Sequence, residues 1–152
     1  MIIMPDQFDV VRIDHPAAAI GYTSGVFDLF HKGHRHYIET CRTKCDILIV
    51  GVDSDRLARN RKGYGRPIQG ICRRLNNVNR HAQYVFAKDA PSEHYTATFH
   101  PDFYFFSKDN VITPEKRQHL TEDAYFKDAI FIPYTDTIST TEILNSRLKL
   151  ID

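Results

Sequence analysis

Ala17-Ala18-Ala19-Ile20-Gly21-Tyr22-Thr23-Ser24-Gly25-Val26-Phe27-Asp28-Leu29-Phe30-His31-Lys32-Gly33-His34 joins an apolar run to a segment that opens a helix. The run Ala17 to Thr23 is continuous instead of alternating, as in a strand buried on both faces. Helical character follows from Gly33 to Cys45. His31 and His34 are three apart, so at the first turn of that helix they share a face beside the partly positive end of its dipole. A helix N-terminus offers unpaired amides to a phosphate, and Gly33 lets the backbone approach without a side chain in the way. Strand, phosphate-binding turn and helix in this order are the first half of a parallel β-α-β unit.

Outward from this stretch the alternation continues. Apolar runs recur at Ile47 to Val52, Tyr84 to Phe86, Phe103 to Phe106 and Ala129 to Ile132. Helical stretches lie between them: a short piece after Asp53, then Arg73 to His81, Pro91 to Phe99, and Pro114 to Leu120, the last opened by Thr113 with proline at its first position. The expected fold is α/β, a Rossmann-like doubly wound parallel sheet of five strands with helices on both faces. Ligands of such sheets bind beyond the carboxyl ends of the strands, which directs attention to the loops after the first and last strands. At 152 residues the chain suits a single domain over 1–152, with residues 1–16 as an N-terminal extension that no motif explains.

Two further segments have a chemistry of their own. Arg59, Arg61, Lys62 and Arg66 crowd a turn containing Gly63, Gly65 and Pro67. The stretch has no acids of its own for buried pairing, so its charges are read not as structural ion pairs but as a phosphate clamp, with Arg61 and Lys62 foremost, the alternative being a solvated basic loop. Near the C-terminus, Ser139 and Glu142 form a Ser-x-x-Glu capping box before an apolar helical run, with extra hydroxyls at Thr140 and Thr141. A capped helix N-terminus is also an anion site, and the residues alone leave the two roles open. His-x-Gly-His itself is expected by chance roughly 0.02 times in a chain of this composition, so coincidence is set aside. Lys32 and His36 are read as solvated.

Gly25-Val26-Phe27-Asp28-Leu29-Phe30-His31-Lys32-Gly33-His34 closely resembles the signature of the cytidylyltransferase-like nucleotidyltransferases. These include glycerol-3-phosphate cytidylyltransferase and the adenylyltransferase domain of ADP-heptose synthase. Lys62-Gly63-Tyr64-Gly65-Arg66-Pro67-Ile68 is similar to the corresponding loop of the heptose enzyme, and Pro101-Asp102-Phe103 is similar to the stretch that leads into its fourth strand. Ile138-Ser139-Thr140-Thr141 resembles the family's terminal motif. The resemblance implies His31, His34 and Lys62 as catalytic residues. It implies Gly25, Val26, Phe27, Asp28, Gly33, Asp109, Ile138, Ser139 and Thr140 at the nucleotide, Arg61 and Arg66 at the substrate phosphate, and no protein metal ligand. Mg²⁺ would arrive on the triphosphate of CTP or ATP. Two positions depart from the pattern: Lys108 stands one or two places from the usual basic residue, and Tyr134 stands where the family has an arginine.

Composition narrows the partners. Twenty basic and nineteen acidic side chains leave a formal charge of +1, which gives no broad footprint for nucleic acid or an anionic membrane. The first nineteen residues carry Asp6, Asp9, Arg12 and Asp14, unlike a signal peptide, so a cytoplasmic location is expected. Cys41, Cys45 and Cys72 lack zinc-site spacing and are expected to be reduced and buried. The expected reaction moves CMP, or AMP, from CTP or ATP to a phosphorylated small alcohol or sugar, with release of pyrophosphate. The partners are small molecules, with no nucleic acid, no membrane, and a second copy of the chain in a homodimer. Three alternatives stay open: an ADP-heptose-synthase-like adenylyltransferase, a nucleotide-binding protein of the same fold without turnover, and a fragment related to class I aminoacyl-tRNA synthetases. Length and balanced charge disfavour the last.

Overall fold

The computed structural model describes residues 1–107, 114–115 and 128–133. Five strands, β1 (Ile20–Gly25), β2 (Ile47–Asp53), β3 (Tyr84–Lys88), β4 (Phe103–Phe106) and β5 (Asp128–Phe131), form one sheet in the order β3-β2-β1-β4-β5. Every pairing is parallel, from Ile20 beside Ile47 through Gly25 beside Val52 at the centre. The five apolar runs read from the sequence are these five strands. All of β1 but Gly25, and all of β2 but Ile47, are buried, whereas β5 at the edge keeps Phe131 half exposed.

Helices cover both faces. They are α1 (Phe8–Asp14), α2 (Lys32–Arg42), α3 (Asp55–Lys62), α4 (Ile71–Asn79) and α5 (Ser92–Phe99). Successive residues of a strand face opposite sides, and β2 divides accordingly: Ile49 joins Phe8, Val11, Tyr95 and Phe99 of α1 and α5, while Leu48, Val50 and Val52 join Tyr37, Ile38, Leu75 and Val78 of α2 and α4. The helix expected at Arg73 to His81 begins two residues earlier and ends two earlier. All but the first two residues of the helix expected at Pro114 to Leu120 lie outside the described residues. No described helix is long and apolar enough to cross a membrane.

Residues 1–16 are part of the packing. Met1 O accepts the Val85 amide at 3.0 Å and the Ile3 amide donates to Val85 O at 2.9 Å, a bridge beside edge strand β3. Ile3, Phe8 and Val11 enter the core. Arg12 then donates to Ala18 O at 2.8 Å and meets Asp102 at 3.4 Å, and Asp102 also accepts the Ile20 amide at 2.8 Å. The Pro-Asp pair before β4 therefore ties the start of β1 to the N-terminal segment. The cysteines are free, but only Cys41 is fully buried; Cys45 is half-buried and Cys72 exposed. The expectation of three buried thiols fails at Cys72 because it lies on the solvent side of α4, away from the Leu75 and Val78 stripe.

Candidate active site at the carboxyl ends of the strands

In the observed order the chain leaves β1 toward β2 on one side, while β4 lies on the other, so the switch point of the sheet falls between β1 and β4. The segment Val26–His31 crosses this point. Phe27 and Leu29 both adopt left-handed backbone, at φ 54° and 51°, a costly conformation for bulky residues that persists where surrounding structure enforces it. Here burial enforces it: Phe27, Asp28 and Leu29 are all inside the protein.

His31 is the N-cap of α2, and its Nδ1 accepts the Gly33 amide at 3.1 Å. His34 Nδ1 in turn accepts the His31 amide at 3.4 Å. This is a reciprocal cap built from two imidazoles instead of serine and glutamate. With Nδ1 accepting on both rings, the hydrogen-bond network assigns each proton to Nε2, on the opposite edge. The rings stack, centroids 3.8 Å apart and 22° from parallel. Phe27 and Phe30 each lie 5.5 Å from the His34 ring. His34 is 8% exposed, and burial first, then His31 and Lys62, lower its pKa from 6.5 to about 3. The site thus presents His34 as a neutral donor, held at the positive end of α2.

The basic segment sits against this motif. Lys62, in the last turn of α3, is close enough to bear on the titration of His34. Beyond it the chain turns at Gly63 and Gly65, and is then caught by Asp28, which is 2% exposed and accepts the amides of Ile68 at 2.8 Å and Gln69 at 2.9 Å. Arg66 lies 3.5 Å from the same carboxylate. Arg61 donates to Asp53 at 2.8 Å, and Lys88 approaches the other oxygen of Asp53 at 3.3 Å. The stretch has no acids of its own, but the reading that its charges are not structural ion pairs is corrected: Arg66 pairs with Asp28 in the turn after β1 and Arg61 with Asp53 at the end of β2. Lys32 and His36 are exposed, as read.

Three residues at the site escaped the sequence reading. Arg74 is wholly buried, and its guanidinium donates to Val26 O at 2.9 Å, Asp53 O at 2.6 Å, Gln69 O at 2.9 Å and Asp55 at 2.7 Å. One side chain thus ties together the ends of β1 and β2, the basic loop and the start of α3. Its signal was present in the spacing 71, 74, 75, 78, which puts an arginine on the apolar stripe of α4. Asp53 and Lys88, at the ends of β2 and β3, are also buried. Of the residues read as site residues, Gly25, Val26, Phe27, Asp28, His31, Gly33, His34, Lys62 and Arg66 lie in or against the end of β1, the turn after it and the start of α2, whereas Arg61 lies at the end of β2 beside Asp53. Asp109, Ile138, Ser139 and Thr140, together with Lys108 and Tyr134, lie outside the described residues.

The sequence matches the Cytidylyltransferase-like family over residues 22–146. It is 27% identical over 141 residues to the Bifunctional protein HldE of Campylobacter fetus subsp. fetus, covering 90% of this chain and 30% of that protein. It is 50% identical over 50 residues to the HldE of Acidiphilium cryptum, covering 33% and 10%. The chain therefore spans under a third of the length of these curated relatives. Among solved structures, the lipopolysaccharide core biosynthesis protein of Thermoplasma volcanium superposes with a TM-score of 0.71 at 22% identity, over 79% of this chain and 100% of that one. Pantothenate synthetase of Thermus thermophilus gives 0.65 at 12% identity, over 97% and 70%. At these identities the structures support the fold alone, whereas the family match covers most of the sequence: the chain belongs to the cytidylyltransferase-like family of nucleotidyltransferases.

Proposed function

We propose that the chain transfers a nucleoside monophosphate from ATP or CTP to the phosphate of a small sugar or alcohol. An oxygen of the acceptor phosphate attacks the α-phosphorus, the bond from that phosphorus to the bridging oxygen breaks, and pyrophosphate leaves with its electron pair. The observation that carries this reading is the stacked, Nδ1-anchored pair His31 and His34 at the start of α2, beside the basic segment held by Asp28. Such transfers need little covalent help from the protein; they need aligned reactants and donors where charge builds on phosphate oxygens. The Nε2 protons of His31 and His34 are those donors, Lys62 offsets phosphate charge, and Arg61 and Arg66, whose charges are shared with Asp53 and Asp28, add hydrogen-bond donors for the triphosphate and the acceptor phosphate. Mg²⁺ would be carried by the triphosphate and would offset its charge, since Asp28 and Asp53 are engaged by amides and cations. Asp109 and the Ile138-Ser139-Thr140 segment are assigned to the nucleotide by resemblance.

The HldE relatives, together with the Lys62 loop, favour the adenylyltransferase reading, with ATP and a sugar phosphate, over the CTP reading. Screening ATP and CTP against a panel of sugar and polyol phosphates, with pyrophosphate release as readout, decides between them. Release with ATP and a sugar phosphate supports the proposal. Tight nucleotide binding in calorimetry without release from any pair would replace it with the turnover-free reading, which Tyr134 at the family's arginine position favours.

A further inference from the structure

Tyr64 is the most exposed of the large apolar side chains among the described residues, at 100% against 69% for the next, Ile13. It occupies the tip of a turn closed by the Arg66 amide on Gly63 O at 3.3 Å. Its neighbours Gly63 and Gly65 have φ of +93° and +86°, and nothing lies within 4 Å of where either would carry a Cβ. Glycine is required at such backbone angles, so the chain takes two unusual conformations to hold one aromatic ring in water.

One foot of this tip is the end of α3, where the Gly63 amide donates to Arg59 O at 2.8 Å, and the other is held at the candidate site. Lys62 bears on His34, and on the other side Arg66, Ile68 and Gln69 are held by Asp28, with Gln69 also bound to Arg74. Two residues of chain reach at most about 7 Å, so Tyr64 cannot stray far from either Lys62 or Arg66. The ring stands on two glycines, between Lys62, which bears on His34, and Arg66, which pairs with Asp28, and so lies next to the proposed phosphate site. From this juxtaposition we infer that Tyr64 is a ligand-binding residue that folds over the phosphorylated substrate and lies on its ring face. That ring belongs either to the base of the nucleotide or to the sugar of the acceptor. The inference rests on the proposed function for the chemistry of the ligand and adds a residue that selects ligands with rings.

The test is calorimetric titration of the full chain and of Tyr64→Ala and Tyr64→Phe. The probes are ATP, CTP and inorganic tripolyphosphate for the nucleotide arm, and glucose 1-phosphate and inorganic phosphate for the acceptor arm. Tyr64→Ala should bind the ring-bearing probe of one arm about tenfold more weakly, the order expected for loss of one stacking contact. Its affinity for the ringless probes should be unchanged, and Tyr64→Phe should match the parent. The arm that weakens identifies the ring. Unchanged affinity for every ring-bearing probe overturns the inference, as does equal weakening of tripolyphosphate and nucleotide. If the parent binds ATP and Tyr64→Ala loses it, yet no pair of substrates releases pyrophosphate, the proposed function fails and Tyr64 keeps its role. A parent that binds none of these probes refutes both.

Discussion

Acidification of the free protein should destabilise it through His34, and the size of the effect follows from its surroundings. Burial between Phe27 and Phe30, with His31 and Lys62 nearby, takes its pKa from 6.5 to about 3. Above pH 6.5 the imidazole is neutral both folded and unfolded and contributes nothing to the pH dependence. Below pH 6.5 the unfolded chain takes up a proton that the folded one refuses, so stability falls with pH down to about 3. Each unit is worth about 1.4 kcal/mol, which puts the loss near 2 kcal/mol at pH 5 relative to pH 8. His34→Asn keeps an acceptor for the His31 amide and removes the titrating group. Urea denaturation of both proteins at pH 5 and 8 isolates the contribution: the parent should lose about 2 kcal/mol more than the variant. Equal losses, or an assigned His34 ring signal in NMR that titrates near pH 6.5, would refute the claim that His34 is a neutral donor.

The remaining predictions concern the same site. His34→Ala and His31→Ala should each lower kcat by about a hundredfold if their donors act in the transition state, and normal turnover in either, measured by pyrophosphate release, would remove that residue from the mechanism. Lys62→Ala should chiefly raise KM for a phosphorylated substrate and should raise the NMR-measured pKa of His34 in the free protein, since Lys62 is one of the charges lowering it; unchanged values of both would return Lys62 to solvent. Arg74→Met should cost about 4 kcal/mol in urea denaturation, because the buried carbonyls of Val26 and Asp53 and the part-buried carbonyl of Gln69 lose a charged donor while the partly exposed Asp55 adds little. A loss below about 1 kcal/mol would show that water replaces the guanidinium at little cost.

The fold was legible because central parallel strands are buried on both faces and so appear as unbroken apolar runs. Ile47 to Val52 is the clearest of these, and the motif at its neighbour's carboxyl end marks the switch point from sequence alone. Charge pairing was not legible, for a physical reason: the partners are local in space and remote in sequence. Arg61 looked unpaired because its acid, Asp53, ends the preceding strand, where it reads as the first residue of a loop although it is wholly buried. The N-terminal residues were opaque in the same way. Phe8 and Val11 have helical spacing, but the bonds of Met1 and Ile3 to Val85 are made by backbone, which no side-chain pattern encodes.

Asp28 shows how the residues of one motif divide between two tasks. By resemblance it belongs with the histidines, since it sits in the same ten residues. In the structure its carboxylate turns inward, between two left-handed residues, and takes the amides of Ile68 and Gln69. Its buried charge is compensated in part by Arg66 and by those amides, so moving the loop away would cost the carboxylate two amide bonds and an ion pair, of order 1 to 3 kcal/mol. Arg74 opposes the same motion from the other side, through Gln69 O and Val26 O. The foot of the basic loop is therefore fixed to the turn that carries His31 and His34, while its tip at Gly63 to Gly65 is unpacked. A rigid foot with an open tip keeps Arg66 in register with the turn that carries the histidines and leaves Tyr64 the part of the loop that can move, as the proposed role of Tyr64 requires.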